Sequence, residues 1–374
     1  MKIGLVIYGS LDTLSGGYLY DRKLVEYLRE QGDVVEIISL PWRNYATHLT
    51  DNIHFRLPLS HVIASEATLA PGAIAGEQSP TQQKFDILIQ DELNHPSLIA
   101  ANAEKHPYPI LSLVHHLRSS EFRPIWQNAI YRMVEKKYLQ SVDGFIFNSK
   151  TTQKVVHKLI GYSKPNIIAY PPTDRFGEAI SEEEITSRAK MDPLRILFLG
   201  NVIERKGLHT LLEVIGHQPS AIRLDIVGSL NSEPLYAKQI QEYVTAKNLS
   251  SFVIFHGPLD KEPLIEKLSQ AHVLVVPSSY EGYGIVYLEG MCFGLPAIGT
   301  TAGAASEIIS DGIDGFLIDP GDIHLLASRL KLLAEKREIL VRMSLTARER
   351  YLQQPGWEET AHEIRAFIIS MLNT

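Results

Sequence analysis

Short apolar runs recur along this chain, separated by longer stretches with helical spacing. Residues 2–8 form such a run, and residues 18–30 follow with Leu19, Leu24, Val25 and Leu28 at helical intervals. Further runs lie at 34–40, 85–90, 110–114 and 144–148, with helices expected at 97–104 and 149–159. Near-continuous apolar strands alternating with helices predict a parallel sheet covered on both faces. The rhythm breaks at Tyr170-Pro-Pro-Thr-Asp174 and through an acidic stretch containing Glu178 and Glu182 to Glu184. It restarts at 194–200 and continues at 224–228, 252–255, 273–277, 297–299 and 315–318, with helices at 207–215 and 263–269 among the intervening stretches. Two doubly wound α/β domains are therefore expected, with the boundary between about residues 172 and 193. Ligands of open α/β sheets bind beyond the carboxyl ends of the strands, so a site in a cleft between two facing domains is expected.

Composition narrows the class. Hydrophobic residues make up 45% and charged residues 21% of 374, the balance of a globular protein with a sizeable core. No apolar run approaches the roughly 20 residues needed to cross a bilayer. A lone cysteine, Cys292, excludes a disulfide framework and a thiolate metal cluster, and a cytoplasmic setting is expected. The net charge of −7 argues against nucleic acid as a partner. Residues 101–175 run against that balance, with 11 Lys/Arg and 5 Asp/Glu.

Three loops carry candidate chemistry. Gly16 and Gly17 follow the first strand and precede a helix, where glycine lets backbone N–H groups approach an anion; the spacing is not that of a dinucleotide fingerprint. In the second half, Gly200 ends a strand, and Arg205 and Lys206 sit just before a helix start. Cations there oppose the helix dipole, which points to an anion, a phosphate, between them and the helix. The turn Glu281-Gly-Tyr-Gly284 should open another helix, with Glu289 about two turns further along. A pyrophosphate could rest on its first amides while Glu281 and Glu289 accept from sugar hydroxyls.

Glu281 and Glu289, with seven residues between them, resemble the E-x7-E motif of the retaining glycosyltransferases of family 4, which have the GT-B fold. Gly16-Gly17, His115, Asn148-Ser-Lys150, Arg205-Lys206-Gly207, Gly228, the stretch 301–307 and Asp311-Gly-Ile-Asp-Gly315 agree in order. The resemblance spans essentially the whole chain and is looser in the first half. It implies an acceptor-side domain at 1–180, a nucleotide-sugar donor domain at 181–355, and a last helix at 356–374 that crosses back to the first. Arg205 and Lys206 would hold the donor diphosphate, and Glu281 would contact the transferred sugar. Glu289 would accept from the ribose, while Tyr283, Gly284 and Ile285 would present amides to sugar and phosphate. Gly16, Gly17, Gly200 and Gly228 would complete the donor site. His115 would sit by the reacting carbon, with His116 as the competing assignment. One departure is Glu289-Gly-Met-Cys292, where the family often has Glu-Ala-Met-Ala. No D-x-D triplet occurs, so no metal and no cofactor are expected beyond the nucleotide-diphosphate sugar as co-substrate. Retention would follow from same-face attack.

The acceptor is open. Residues 118–138 interleave Arg118, Arg123, Arg132, Lys136 and Lys137 with Phe122, Trp126, Tyr131 and Tyr138. Trp126, Ile130, Met133 and Val134 fall on one helical stripe, with the bases largely outside it. The commoner meaning of such a stripe is a core face; the alternative is peripheral contact with the cytosolic face of a membrane. Other activities considered are a sugar-nucleotide epimerase or phosphorylase on the same bilobal fold, and a non-catalytic nucleotide-sugar-binding module, which should have lost Arg205, Lys206 or Glu281.

Overall fold

A computed structural model describes residues 1–13, 15–53, 85–103, 106–172, 174–177, 179–217 and 222–373. Glu104, where one expected helix ends, and Glu178 of the acidic stretch lie outside these residues. The chain divides into two compact units. The first comprises Met1–Ser119, Arg123–Tyr170 and Trp357–Thr374; the second comprises Ser120–Phe122 and Pro171–Gly356.

The first unit holds β1 (Lys2–Tyr8), α1 (Gly16–Glu30), β2 (Val34–Leu40), α2 (Tyr45–Thr50), β3 (Ile87–Asp91), α3 (His95–Ala103), β4 (Ile110–Val114), α4 (Ile125–Ser141), β5 (Gly144–Phe147), α5 (Lys150–Ile160) and β6 (Asn166–Ile168). Its six strands are parallel in the order β2-β1-β3-β4-β5-β6. All residues of β3, β4 and β5 are buried, which is why their sequences read as unbroken apolar runs. The edge strand β6 was not expected: three half-buried residues are too short a signal.

The second unit holds α6 (Glu182–Arg188), β7 (Leu194–Leu199), α7 (Leu208–His217), β8 (Ile222–Val227), α8 (Pro234–Ala246), β9 (Val253–Gly257), α9 (Lys261–Gln270), β10 (Val273–Val275), α10 (Ile285–Cys292), β11 (Ala297–Thr300), β12 (Gly315–Ile318), α11 (Ile323–Glu335) and α12 (Arg337–Leu352). Its sheet runs β12-β11-β10-β7-β8-β9, the dinucleotide-fold order read from the far edge. The strand order reverses between β7 and β10 here, and between β1 and β3 in the first unit. Each reversal opens a crevice at the strands' carboxyl ends, where a ligand can reach backbone from two sides.

The last helix, α13 (Trp357–Leu372), belongs to the first unit. Ile364 and Ile368 are fully buried in the core that also contains Leu24 and Leu28 of α1, and the Trp357 ring meets Tyr20 edge-on at 5.1 Å. Arg365 Nε bonds Asp33 at 2.7 Å, and Asp33 also takes the amino terminus at 2.9 Å. Among the described residues no helix is long and apolar enough to cross a membrane.

The outward side of α4 corrects one expectation. Val134 is buried, but Trp126, Ile130 and Met133 are 64%, 43% and 56% exposed. The inner face is instead Val134, Glu135, Tyr138 and Leu139. At 100° per residue the apolar stripe is centred roughly 140° from the core contact, so it is not a core face.

Candidate functional site

In the second unit the site grows from the ends of β7 and β10. Gly200 follows β7 and Gly228 follows β8, and their backbones touch: a Cβ on Gly228 would lie 2.0 Å from the Gly200 carbonyl oxygen. Beyond Gly200, a 3-10 turn at Glu204–Lys206 ends at Gly207, with φ of +69°. A Cβ there would stand 2.1 Å from the Pro277 carbonyl oxygen. Only glycine lets this turn press against the segment leaving β10, and that contact brings Arg205 and Lys206 to residues 278–281. The Ser279 N–H then donates to the Arg205 carbonyl at 2.8 Å, and Arg205 Nη1 donates to the Tyr280 carbonyl at 2.7 Å.

Two donors and a further cation converge on one oxygen of Glu281. Lys206 Nζ lies 2.5 Å from Oε1, Ser278 Oγ 2.6 Å and Arg205 Nη1 3.8 Å. Glu121 Oε1 faces Arg205 Nε at 3.5 Å. Burial pushes the Glu281 carboxyl up, but the charges of Lys206 and Arg205 outweigh it and hold the group below the usual carboxylate range. Burial lowers Lys206, against the pull of Glu281. Glu281 is fixed at the backbone too, since the Ala304 N–H donates to its carbonyl at 2.9 Å. The side chains of Lys206 and Arg205 remain 13% and 22% exposed, so a ligand can reach both cations.

Glu289 has a different setting. Helix α10 starts at Ile285 behind Gly284, which has φ of +92° and gives no side-chain cap to the first amides. Tyr283 is buried, and Tyr287 fills the space beside Gly284 while donating its hydroxyl to the Val276 carbonyl at 2.8 Å. One and a half turns into the helix, Glu289 is 3% exposed and takes Arg175 Nη1 at 2.8 Å. Burial raises its carboxyl, and Arg175 opposes that rise. The two glutamates of the spaced pair therefore have separate partners and opposite shifts. Nearby, the Ser229 N–H donates to Asn201 Oδ1 at 3.2 Å, and His256 Nε2 meets Asp225 Oδ1 at 2.5 Å.

The first unit brings Gly17 and His115 together. Ser15 caps α1, so Gly16 and Gly17 are its first residues. A Cβ on Gly17 would lie 3.3 Å from His115 Cδ2, so the imidazole packs directly over the glycine. His115 Nε2 faces Asp21 Oδ1 at 3.3 Å, its backbone N–H donates to Glu92 Oε2 at 3.2 Å, and Tyr20 meets the ring edge-on. Burial disfavours the imidazolium, but Asp21, Asp91 and Glu92 together raise its pKa to about 9. The same crowding raises Asp91 to about 7, burial first and the Asp21 charge second, and raises Glu92 as well. Of the two histidines weighed, His115 is the one against Gly17 and Asp21. Among the described residues, Asp21, Asp91 and His115 could offer three ligand atoms to a metal ion, all within 4.8 Å of one another.

Asp21, Asp91, Glu92, Arg175 and Ser278 were not singled out from sequence. Asp91 and Glu92 had a signal, standing at the carboxyl end of a buried strand beside the switch point. Arg175 had none, because its stretch is irregular.

Comparison with known proteins settles the class of the second unit. Residues 180–350 match the family described as glycosyl transferases group 1. This stretch, a little under half of the chain, is similar to that family. Relatives that match part or most of the chain carry related names. The D-inositol 3-phosphate glycosyltransferase of Xylanimonas cellulosilytica is 25% identical over 240 residues, 61% of this chain and 57% of its own length. The sulfoquinovosyl transferase SQD2 of Arabidopsis thaliana is 23% identical over 92% of this chain and 68% of its own. The chain thus spans a little over half of the first relative. Sucrose-phosphate synthase from Thermosynechococcus elongatus shares the fold with a TM-score of 0.78 over 100% of this chain and 99% of that one, at 19% identity. The Anabaena protein HepE, in complex with UDP and glucose, gives 0.71 over 99% and 100%, at 17% identity. These likenesses establish the fold as two doubly wound parallel α/β domains of the GT-B class.

Proposed function

We propose that this chain is a retaining glycosyltransferase that moves a sugar from a nucleotide-diphosphate sugar to an acceptor hydroxyl, without a metal or a further cofactor. The observation that carries the reading is the convergence of Lys206, Arg205 and Ser278 on Glu281 at the strand-order reversal of the second unit. Two reachable cations beside uncapped helix amides suit a diphosphate, whose charge grows as it departs. Glu281, held ionised, serves as an acceptor for sugar hydroxyls rather than as a proton donor. Glu289 accepts from the ribose, and Tyr283, Gly284 and Ile285 line the phosphate with backbone, with Gly200 and Gly228 keeping the floor open. On the first unit, Gly16 and Gly17 offer amides, and His115 offers a positive charge near neutral pH.

In this reaction the bond from the anomeric carbon to the phosphate oxygen breaks, and the bond to the acceptor oxygen forms on the same face. The acceptor's proton goes to the departing phosphate oxygen, so no protein base is required. Arg205 and Lys206 lower the barrier by favouring the charge that accumulates on that oxygen. Without an ion, the buried Asp21–Asp91–His115 cluster shares protons, since the three carboxylates around His115 raise its pKa.

Calorimetric titration of UDP, GDP, ADP and CDP into wild type and into an Arg205→Ala/Lys206→Ala double variant tests the donor site. UDP comes first because HepE, which shares the fold, is described with it. One diphosphate should bind better than the rest and lose most of its affinity in the double variant. Equal binding by both proteins would remove Arg205 and Lys206 from the site.

A further inference from the structure

The outward face of α4 has a composition that a water-facing helix rarely shows. Ile125 is 87% exposed and Trp126 64%, with Ile130 and Met133 close to half. At 100° per residue, these four share an arc of about 140° with Ala129, Lys136, Lys137 and Gln140, and Arg132 borders it. Acidic side chains are missing from that arc: Glu135, the helix's one carboxylate, points inward, 1% exposed, and accepts from the Ser119 N–H at 3.1 Å. The apolar residues fill the first half of the helix, and the bases lie in the second.

We propose that this face docks on a bilayer carrying anionic lipid, with α4 lying in the interface plane. Trp126, Ile130, Met133 and Ile125 enter the boundary between headgroups and acyl chains, while the bases engage lipid phosphates through flexible stems. Charge complementarity selects this occupant. A second copy would set three bases against three bases if parallel, and bases against the apolar half if antiparallel, with no carboxylate on this face to pair them in either case. A helix about 25 Å long and 12 Å across also offers roughly 300 Å², well under the roughly 800 Å² per partner of a stable protein interface. A bilayer needs only the single face. The inference stands apart from the donor reading, because none of these residues belongs to the donor site.

The test is co-sedimentation of the full chain with vesicles of pure phosphatidylcholine and of phosphatidylcholine mixed equally with phosphatidylglycerol. Wild type should pellet with the mixed vesicles, little with the neutral ones, and less as salt rises. Lys136→Glu/Lys137→Glu should weaken binding roughly thirtyfold or more, the loss expected from removing two bases near an anionic surface. Trp126→Ser/Ile130→Ser should weaken it at least as much. Both pairs are surface changes, and unaltered circular dichroism melts and UDP titrations confirm that each variant is intact. Wild type failing to pellet with the mixed vesicles overturns the proposal. So does either double variant binding like wild type, or a dimer in solution that both variants dissolve while vesicles are ignored.

Discussion

Replacing Asp21 with Asn removes the nearest charge from His115 while keeping the side chain's shape. In the native protein His115 has a pKa of about 9 against an ordinary 6.5, and its side chain is only 13% exposed, so water screens little of the interaction. At 1.36 kcal/mol per unit, that rise corresponds to about 3 kcal/mol of preference for the protonated folded state. The sign follows from linkage. A histidine raised in the folded state contributes stability that is fully present below pH 6.5 and is lost as pH rises through 9. Asp91, raised to about 7, acts in the same direction between pH 4 and 7, because the folded state again binds more protons than the unfolded one. Since Asp21 contributes most among the three carboxylates that raise His115, wild type should lose stability relative to Asp21→Asn between pH 6.5 and 9, by on the order of 2–3 kcal/mol. Above pH 9 the variant should be the more stable protein, since it no longer buries Asp21 beside Asp91 and Glu92. Urea unfolding across this range, followed by tryptophan emission, isolates the relevant unit, because Trp42, Trp126 and Trp357 all belong to the first. Ring-nitrogen NMR, with the His115 signal identified by its loss in His115→Gln, gives the titration directly. A difference between the two proteins that is flat with pH, or a His115 titrating near 6.5 in wild type, would refute the argument.

Three further outcomes follow from the geometry. Gly207→Ala places a Cβ against the Pro277 carbonyl at a φ of +69°, so it should cost about 1–3 kcal/mol and weaken diphosphate binding together, read by calorimetry on one sample. Arg175→Ala leaves Glu289 buried without its partner; with Arg175 itself 37% exposed, a loss of about 1–2 kcal/mol is expected at neutral pH. That loss should shrink as pH falls through the raised pKa of Glu289, which pH-dependent melting checks. Trp357→Ala strips the anchor of α13 from Tyr20 and should cost the first unit about 3 kcal/mol or more, seen as an earlier far-ultraviolet transition.

Most of the fold was legible because both sheets are buried on both faces. Strands such as 110–114 read as unbroken apolar runs, and their expected ends match the observed ones. Less legible were elements whose identity depends on what packs against them. The stripe of Trp126, Ile130 and Met133 has ordinary helical spacing, and spacing alone cannot say which side of a helix faces the core; the neighbouring Val134, Tyr138 and Leu139 decide that. At the site, Arg205, Lys206 and Glu281 were readable because glycines and strand ends bracket them. Asp21 was not, since a carboxylate inside α1 looks like any polar helix position until His115 arrives from 94 residues away.

The return of α13 has a consequence for how the protein is made. Nearly all of the second unit is one uninterrupted stretch, so it can reach its final form while the chain is still emerging from the ribosome. The first unit, although most of it is synthesised earlier, lacks Trp357, Ile364 and Ile368 until the second unit has been made, and its core stays open against α1 until then. The half that is translated first is thus the half that is finished last. A released chain ending at residue 356 would hold a complete second unit and an unsealed first one, and chaperones would have to shield that exposed face.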